Sequence, residues 1–191
     1  MRRSTIYRLV PLALAVMSAG ASASEDALLE EARRVAASVP PRLVAVLQEE
    51  ISKDGFAGAV EVCRVKGPQL AQAASAESGW QIRRVSLKNR NPKAVPDAWE
   101  QAVLEDFDRR AAAGERAATL EKGEVVVDGG VRYYRYMLAL PVQMMCLGCH
   151  GDDSTLDPAV RNKLDAYYPK DRATGYEPWQ IRGAMTIKRA L

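Results

Sequence analysis

Histidine is all but absent: His150 is the only one in 191 residues, beside three cysteines and two phenylalanines. One imidazole cannot serve both a histidine-dependent catalytic site and a second histidine ligand to a metal. A closed zinc site needs four nitrogen or sulfur ligands, and the chain offers four such side chains in all. A glycine-rich phosphate loop is missing, as are internal repeats and low-complexity tracts. So is a surplus of one charge. The formal net charge of +3 is carried by Arg2, Arg3 and Arg8, and residues 24–191 hold 24 basic and 24 acidic side chains. A neutral, mixed surface has no electrostatic footprint for nucleic acid or anionic membrane. The rest of the composition, 48% hydrophobic and 27% charged, is that of a globular domain and excludes disorder.

Nor does any stretch reach the roughly 20 apolar residues of a membrane span. The longest follows Arg2, Arg3 and Arg8 as Leu9-Val10-Pro11-Leu12-Ala13-Leu14-Ala15-Val16-Met17, and small residues come next, with Ala21 and Ala23 at A-x-A spacing. Charged, then apolar, then small is the plan of a secretory signal peptide. Residues 1–23 are therefore expected to be removed on export, leaving 24–191 as one soluble periplasmic domain with a real core. No cysteine stands at the cleavage site to take a lipid.

Apolar residues at three- and four-residue steps predict a helix over 26–39, through Leu28, Leu29, Ala32, Val35, Ala36 and Val39. Pro40-Pro41 is expected to interrupt it. A second helix through Leu43, Val44, Leu47 and Ile51 ends at Asp54-Gly55. Residues 56–66 resume helix with Val60, Cys63 and Gly67 on one face, Gly67-Pro68 breaks or kinks it, and residues 69–76 continue it. From Trp80 to Leu87 irregular alternation suggests a strand. Pro96-Asp97 opens a helix whose Trp99, Val103, Phe107 and Ala111 form a core stripe. Runs 119–128 and 131–142, joined by Asp128-Gly129-Gly130, read as a hairpin. A helix at 158–168 and a last strand near 182–189 complete an α+β plan.

The chemistry lies in Cys146-Leu147-Gly148-Cys149-His150. Cys-x-x-Cys-His is the attachment sequence of haem c. Two thiols three residues apart can each form a thioether with one vinyl group of a porphyrin, and the following imidazole then lies under the iron. A thioredoxin-like redox pair would open a helix inside a βαβ unit, whereas this pair follows a hairpin. A zinc site would have to recruit Cys63 to three tightly spaced ligands, and a disulfide between Cys146 and Cys149 would leave Cys63 odd. One covalent haem, through Cys146 and Cys149 with His150 as proximal iron ligand, is the expectation.

Cys63 is then an unpaired thiol in an oxidising compartment. It is either a small buried hydrophobe or the distal iron ligand. From the residues alone the distal position is open to Cys63, to a methionine, or to no protein ligand. Met144 and Met145 directly precede the motif and would struggle to reach the opposite face, and Met137 and Met185 sit on predicted strands.

Several segments together resemble a bacterial haem c family long catalogued as a domain of unknown function, found as exported single-domain proteins and as extracytoplasmic sensor modules. They are Ala59-Val60-Glu61-Val62-Cys63, Arg84-Val85-Ser86, Arg90-Asn91-Pro92, Pro96 to Glu100, Cys146 to Gly151, Tyr168 to Asp171, Ala173 to Tyr176, and Arg182-Gly183-Ala184. The resemblance spans residues 40–190, in order. It implies a PAS-like antiparallel sheet flanked by helices, with His150 and Cys63 as the two axial ligands. Ala94 stands where that family usually has asparagine, and Trp179 where glycine is common.

A thiolate stabilises ferric iron, so such a haem should sit at low potential. The expected role is a redox or gas sensor, working through a partner protein because no effector domain is visible, or else low-potential electron transfer. Two firm ligands exclude substrate, so no enzymatic activity is expected. Arg83, Arg84, Lys88 and Arg90 form a basic cluster, which is either a solvated face or a source of partners for haem propionates.

Overall fold

The computed structural model describes residues 19–191. Residues 1–18, most of the predicted export segment, lie outside the described residues. The fold is α+β: a long N-terminal helix, then a four-stranded antiparallel sheet with flanking helices.

Helix α1 (Ala19–Ser78) is divided only at Gly55, whose φ of 66° and ψ of −169° are non-helical. That backbone region is essentially reserved for glycine, so the Asp54-Gly55 stop is where the sequence placed it. The chain turns back there. Arg42 on the first arm pairs with Glu77 on the second, and the Trp80 indole just beyond donates to Glu31 at 2.9 Å. Pro40, Pro41 and Pro68, expected to break the helix, all lie inside it. Each proline forfeits a backbone hydrogen bond. Ala36, Val39 and Leu43 around the pair are buried, and Leu70, Ala71 and Ala74 pack on the same core as Ala32 and Ala36. Burial around Pro40-Pro41, and after Pro68, keeps the arms helical where local propensity alone would end them.

Strand β1 (Gln81–Val85) is followed by α2 (Ala98–Ala112), then β2 (Glu121–Asp128) and β3 (Val131–Pro141). Next come the single turn α3 (Leu147–His150), α4 (Pro158–Tyr167) and β4 (Ile181–Ala190). The sheet order is β1-β4-β3-β2. The β2–β3 hairpin turns through Gly129 and Gly130 at φ 57° and 82°, the positive pair that a two-residue turn of this hand requires. Asp97 caps α2 by accepting from the Glu100 amide, and Glu100 reciprocates to the Asp97 amide, both at 2.9 Å.

The sheet divides two cores. On one face the arms of α1 cover Trp80, Ile82, Tyr134, Tyr136, Met185 and Ile187. On the other, Val103, Leu104 and Phe107 of α2 cover Val85, Met137, Ala139 and Ala184. The stripe read from the sequence is thus a core face. A smaller cluster sets Val60 of α1 against Leu156, Val160 and Leu164, with Phe56 and Cys149 at its edge. This cluster places the second arm of α1 beside the Cys-x-x-Cys turn.

Candidate functional site

Cys146, Cys149 and His150 are presented by one turn at the end of β3. The Cys146 amide donates to the Gln143 carbonyl, and the Gly151 amide donates to the Leu147 carbonyl, each at 2.9 Å. The segment after α4 is laced to this turn. Tyr176 and Gly175 amides donate to the carbonyls of His150 and Gly151 at 3.0 and 2.7 Å. Arg90 ties the two together, with Nε on Asp171 at 2.8 Å and Nη2 on the Cys149 carbonyl at 2.6 Å.

Gly148, between the two thiols, has the Phe56 ring against it: a Cβ there would stand 2.5 Å from that ring. Cys149 Sγ also approaches the Phe56 carbonyl at 3.8 Å. Phe56, Val60 and Cys63 follow at four- and three-residue steps, so one face of the second arm meets the motif. Cys63 and Cys146 both raise the Cys149 thiol, and Cys146 also raises that of Cys63. The structure sets Cys146, Cys149 and His150 on one turn and packs Phe56 and Val60, on the arm that carries Cys63, beside Cys149.

His150 Nδ1 lies 2.7 Å from the Ala173 carbonyl oxygen. A carbonyl only accepts, so Nδ1 carries the proton and Nε2 keeps its lone pair. Burial, and then Arg182 and Arg90, hold the imidazole well below its ordinary pKa, against the Ala173 bond. It is a neutral imidazole with Nε2 unprotonated. Burial pushes the Cys63 thiol up, opposed by Arg84, Arg90 and Arg182. Burial likewise pushes Cys149 up to about 11.

Arg182 was quoted in the sequence without a role, and the structure gives it one. Register runs Leu140 opposite Gly183 and then Pro141 opposite Ile181, so Arg182 is the extra residue of a β-bulge. Bulges re-aim side chains. Here Nε comes 3.3 and 3.4 Å from the two His150 nitrogens, while Nη1 donates to Ser86 Oγ at 3.0 Å. Burial, then Arg84, depress Arg182 to about 10. Gly183 permits the bulge: its φ is 153°, and a Cβ would meet the Val85 carbonyl oxygen at 2.3 Å.

The basic cluster of the sequence separates in space. Arg83 turns to the α2 face and pairs with buried Glu100. Lys88 donates to the Thr174 carbonyl at 2.6 Å and lies over the Tyr176 ring. Arg84 and Arg90 act on the thiols and His150, where Arg182 joins them. Met137 and Met185 are fully buried on opposite faces of the sheet, and Met144 is exposed.

The family model described as Tll0287-like matches residues 15–189. The chain belongs to the Tll0287-like family. A solved structure, the crystal structure of the cyanobacterial heme-protein Tll0287, is similar at 28% identity with a TM-score of 0.54, covering 68% of this chain and 71% of that one. No curated protein matches the chain significantly. Among the described residues no helix is long and apolar enough to cross a membrane.

Proposed function

We propose that this protein is an exported, periplasmic c-type haem protein in which Cys146 and Cys149 hold the porphyrin, His150 and Cys63 are the axial ligands, and the low-potential centre serves as a redox or gas sensor. The observation that carries this reading is the single turn that presents Cys146, Cys149 and His150, with the arm of α1 that carries Cys63 packed against Cys149. The solved relative's description as a heme-protein supports it. When bound, haem supplies one-electron chemistry at its iron.

The donor set suits that group. Ala173 holds His150 as a neutral imidazole with Nε2 unprotonated, the form that ligates iron. Met137 and Met185 are committed to the two cores and Met144 is exposed, which supports Cys63 over these three as the distal ligand. Arg84, Arg90 and Arg182 gather there with Asp171 as a close anionic partner of Arg90. Net positive charge beside these buried groups favours a ligand carrying carboxylates, and Arg84 and Arg182 are the arginines we assign to the haem propionates. The same arginines oppose the burial that raises the Cys63 thiol.

Thiolate ligation stabilises ferric iron and lowers the potential, where a methionine would raise it. Low-potential electron transfer is the second reading, and either role requires a redox or signalling partner protein. No enzymatic role is proposed. The discriminating experiment reduces the holo-protein and offers carbon monoxide or nitric oxide. A sensor changes ligand or hydrodynamic radius. Unaltered ligation and shape in both oxidation states, with rapid electron exchange, would assign the carrier role instead.

A further inference from the structure

A groove lies on the α2 side of the sheet, and none of the thiols or His150 lines it. It is a half-open groove of about 480 Å³, with Leu104 and Ala111 of α2 and Ile181 of β4 as apolar lining and Asp108, Tyr176 and Trp179 around them. That volume is within the range of small-molecule sites.

Two features of its lining bear on what it could hold. Trp179 is the one non-glycine residue at positive φ among those described, at 71°, and 64% of it is exposed. A left-handed conformation is costly for a bulky side chain, and here that cost maintains an indole in solvent at the rim. Its backbone is held by its amide donating to the Val142 carbonyl at 2.8 Å. Asp108, an exposed residue of α2, makes no hydrogen bond or ion pair among the described residues. Partial desolvation of its carboxyl, then Glu105, raise it above the ordinary value, and a nearby cation would oppose both. Lys88 also lines the groove, but its ammonium is spent on the Thr174 carbonyl and lies 4.4 Å over the Tyr176 ring.

An unpartnered carboxylate, an exposed indole and apolar lining are the three elements that recognise an ammonium attached to a hydrocarbon body. We propose that this groove binds a small organic cation, with Asp108 as counter-charge, Trp179 offering its ring face, and Leu104, Ala111 and Ile181 receiving the apolar part. The proposal is independent of the haem reading.

The test is calorimetry on the full-chain holo-protein with benzylamine and with its neutral counterpart, benzyl alcohol. Benzylamine should bind at least tenfold more tightly. Asp108→Asn should erase that preference. Trp179→Gly should weaken benzylamine at least tenfold while the melting temperature stays level or rises, because glycine accepts the left-handed backbone. Equal affinities for the two probes would mean an apolar cleft without cation recognition and would overturn the proposal. So would no benzylamine binding at millimolar concentration, or full binding by the Trp179→Gly variant.

Discussion

The Ala173 carbonyl oxygen, 2.7 Å from His150 Nδ1, decides which imidazole nitrogen is unprotonated. Orienting a ligand's second nitrogen through a backbone carbonyl is a recurrent way to fix tautomer and ring direction in metal sites. Ala173 is itself anchored, since its amide donates to Asp171 Oδ1 at 2.8 Å and Asp171 is paired with Arg90. Asp171→Asn should therefore loosen the His150 ring without removing a ligand. The expected result is a broadened, pH-sensitive haem spectrum with attachment intact.

Covalent attachment is tested by chemistry at the two thiols. Acid–acetone extraction should leave colour on the wild-type chain and remove it from the Cys146→Ala, Cys149→Ala double variant. Extractable haem in the wild type would return the motif to another use.

Replacing Cys63 separates a ligand from a core cysteine. Cys63→Ala should keep covalent haem but convert six-coordinate low-spin ferric iron to a high-spin or substituted form, and Cys63→Met should raise the potential. A buried spectator would instead cost about 1 kcal/mol of stability with the spectrum unchanged.

Gly148 and Phe56 form a tight contact that the haem motif alone does not demand. Gly148→Ala would place a methyl 2.5 Å from the Phe56 ring, and overpacking of this kind costs about 1–3 kcal/mol. Chemical denaturation of the single variants and of Gly148→Ala with Phe56→Ala should show strong non-additivity, the double losing less than the sum.

Acid stability should depend on Glu121. Arg33 and the Tyr136 hydroxyl, which donates at 2.6 Å, hold its carboxyl below the ordinary value of 4.5. A depressed carboxylate contributes stability that is full above its unfolded pKa and is lost as pH falls through the folded one. Glu121→Gln should cost about 1–2 kcal/mol at neutral pH. Below the folded pKa the difference should vanish, as measured by urea denaturation across pH.

The order of elements, the hairpin at Gly129-Gly130, the Gly55 stop and the α2 core stripe were legible because each rests on local chemistry: backbone freedom, periodicity and capping. The grouping of Cys146, Cys149 and His150 was legible for the same reason, since five consecutive residues carry it. Only tertiary structure decided the rest. The prolines at 40, 41 and 68 remain helical because burial against the sheet outweighs their local preference. The arm that carries Cys63 meets the motif because α1 is divided at Gly55 and lays Phe56 and Val60 beside Cys149. Arg182 reaches His150 through a register shift between β3 and β4, and Arg83 is withdrawn from its sequence neighbours by strand alternation and a buried glutamate. Register and fold-back are relations between distant segments, and no local window of residues contains both partners.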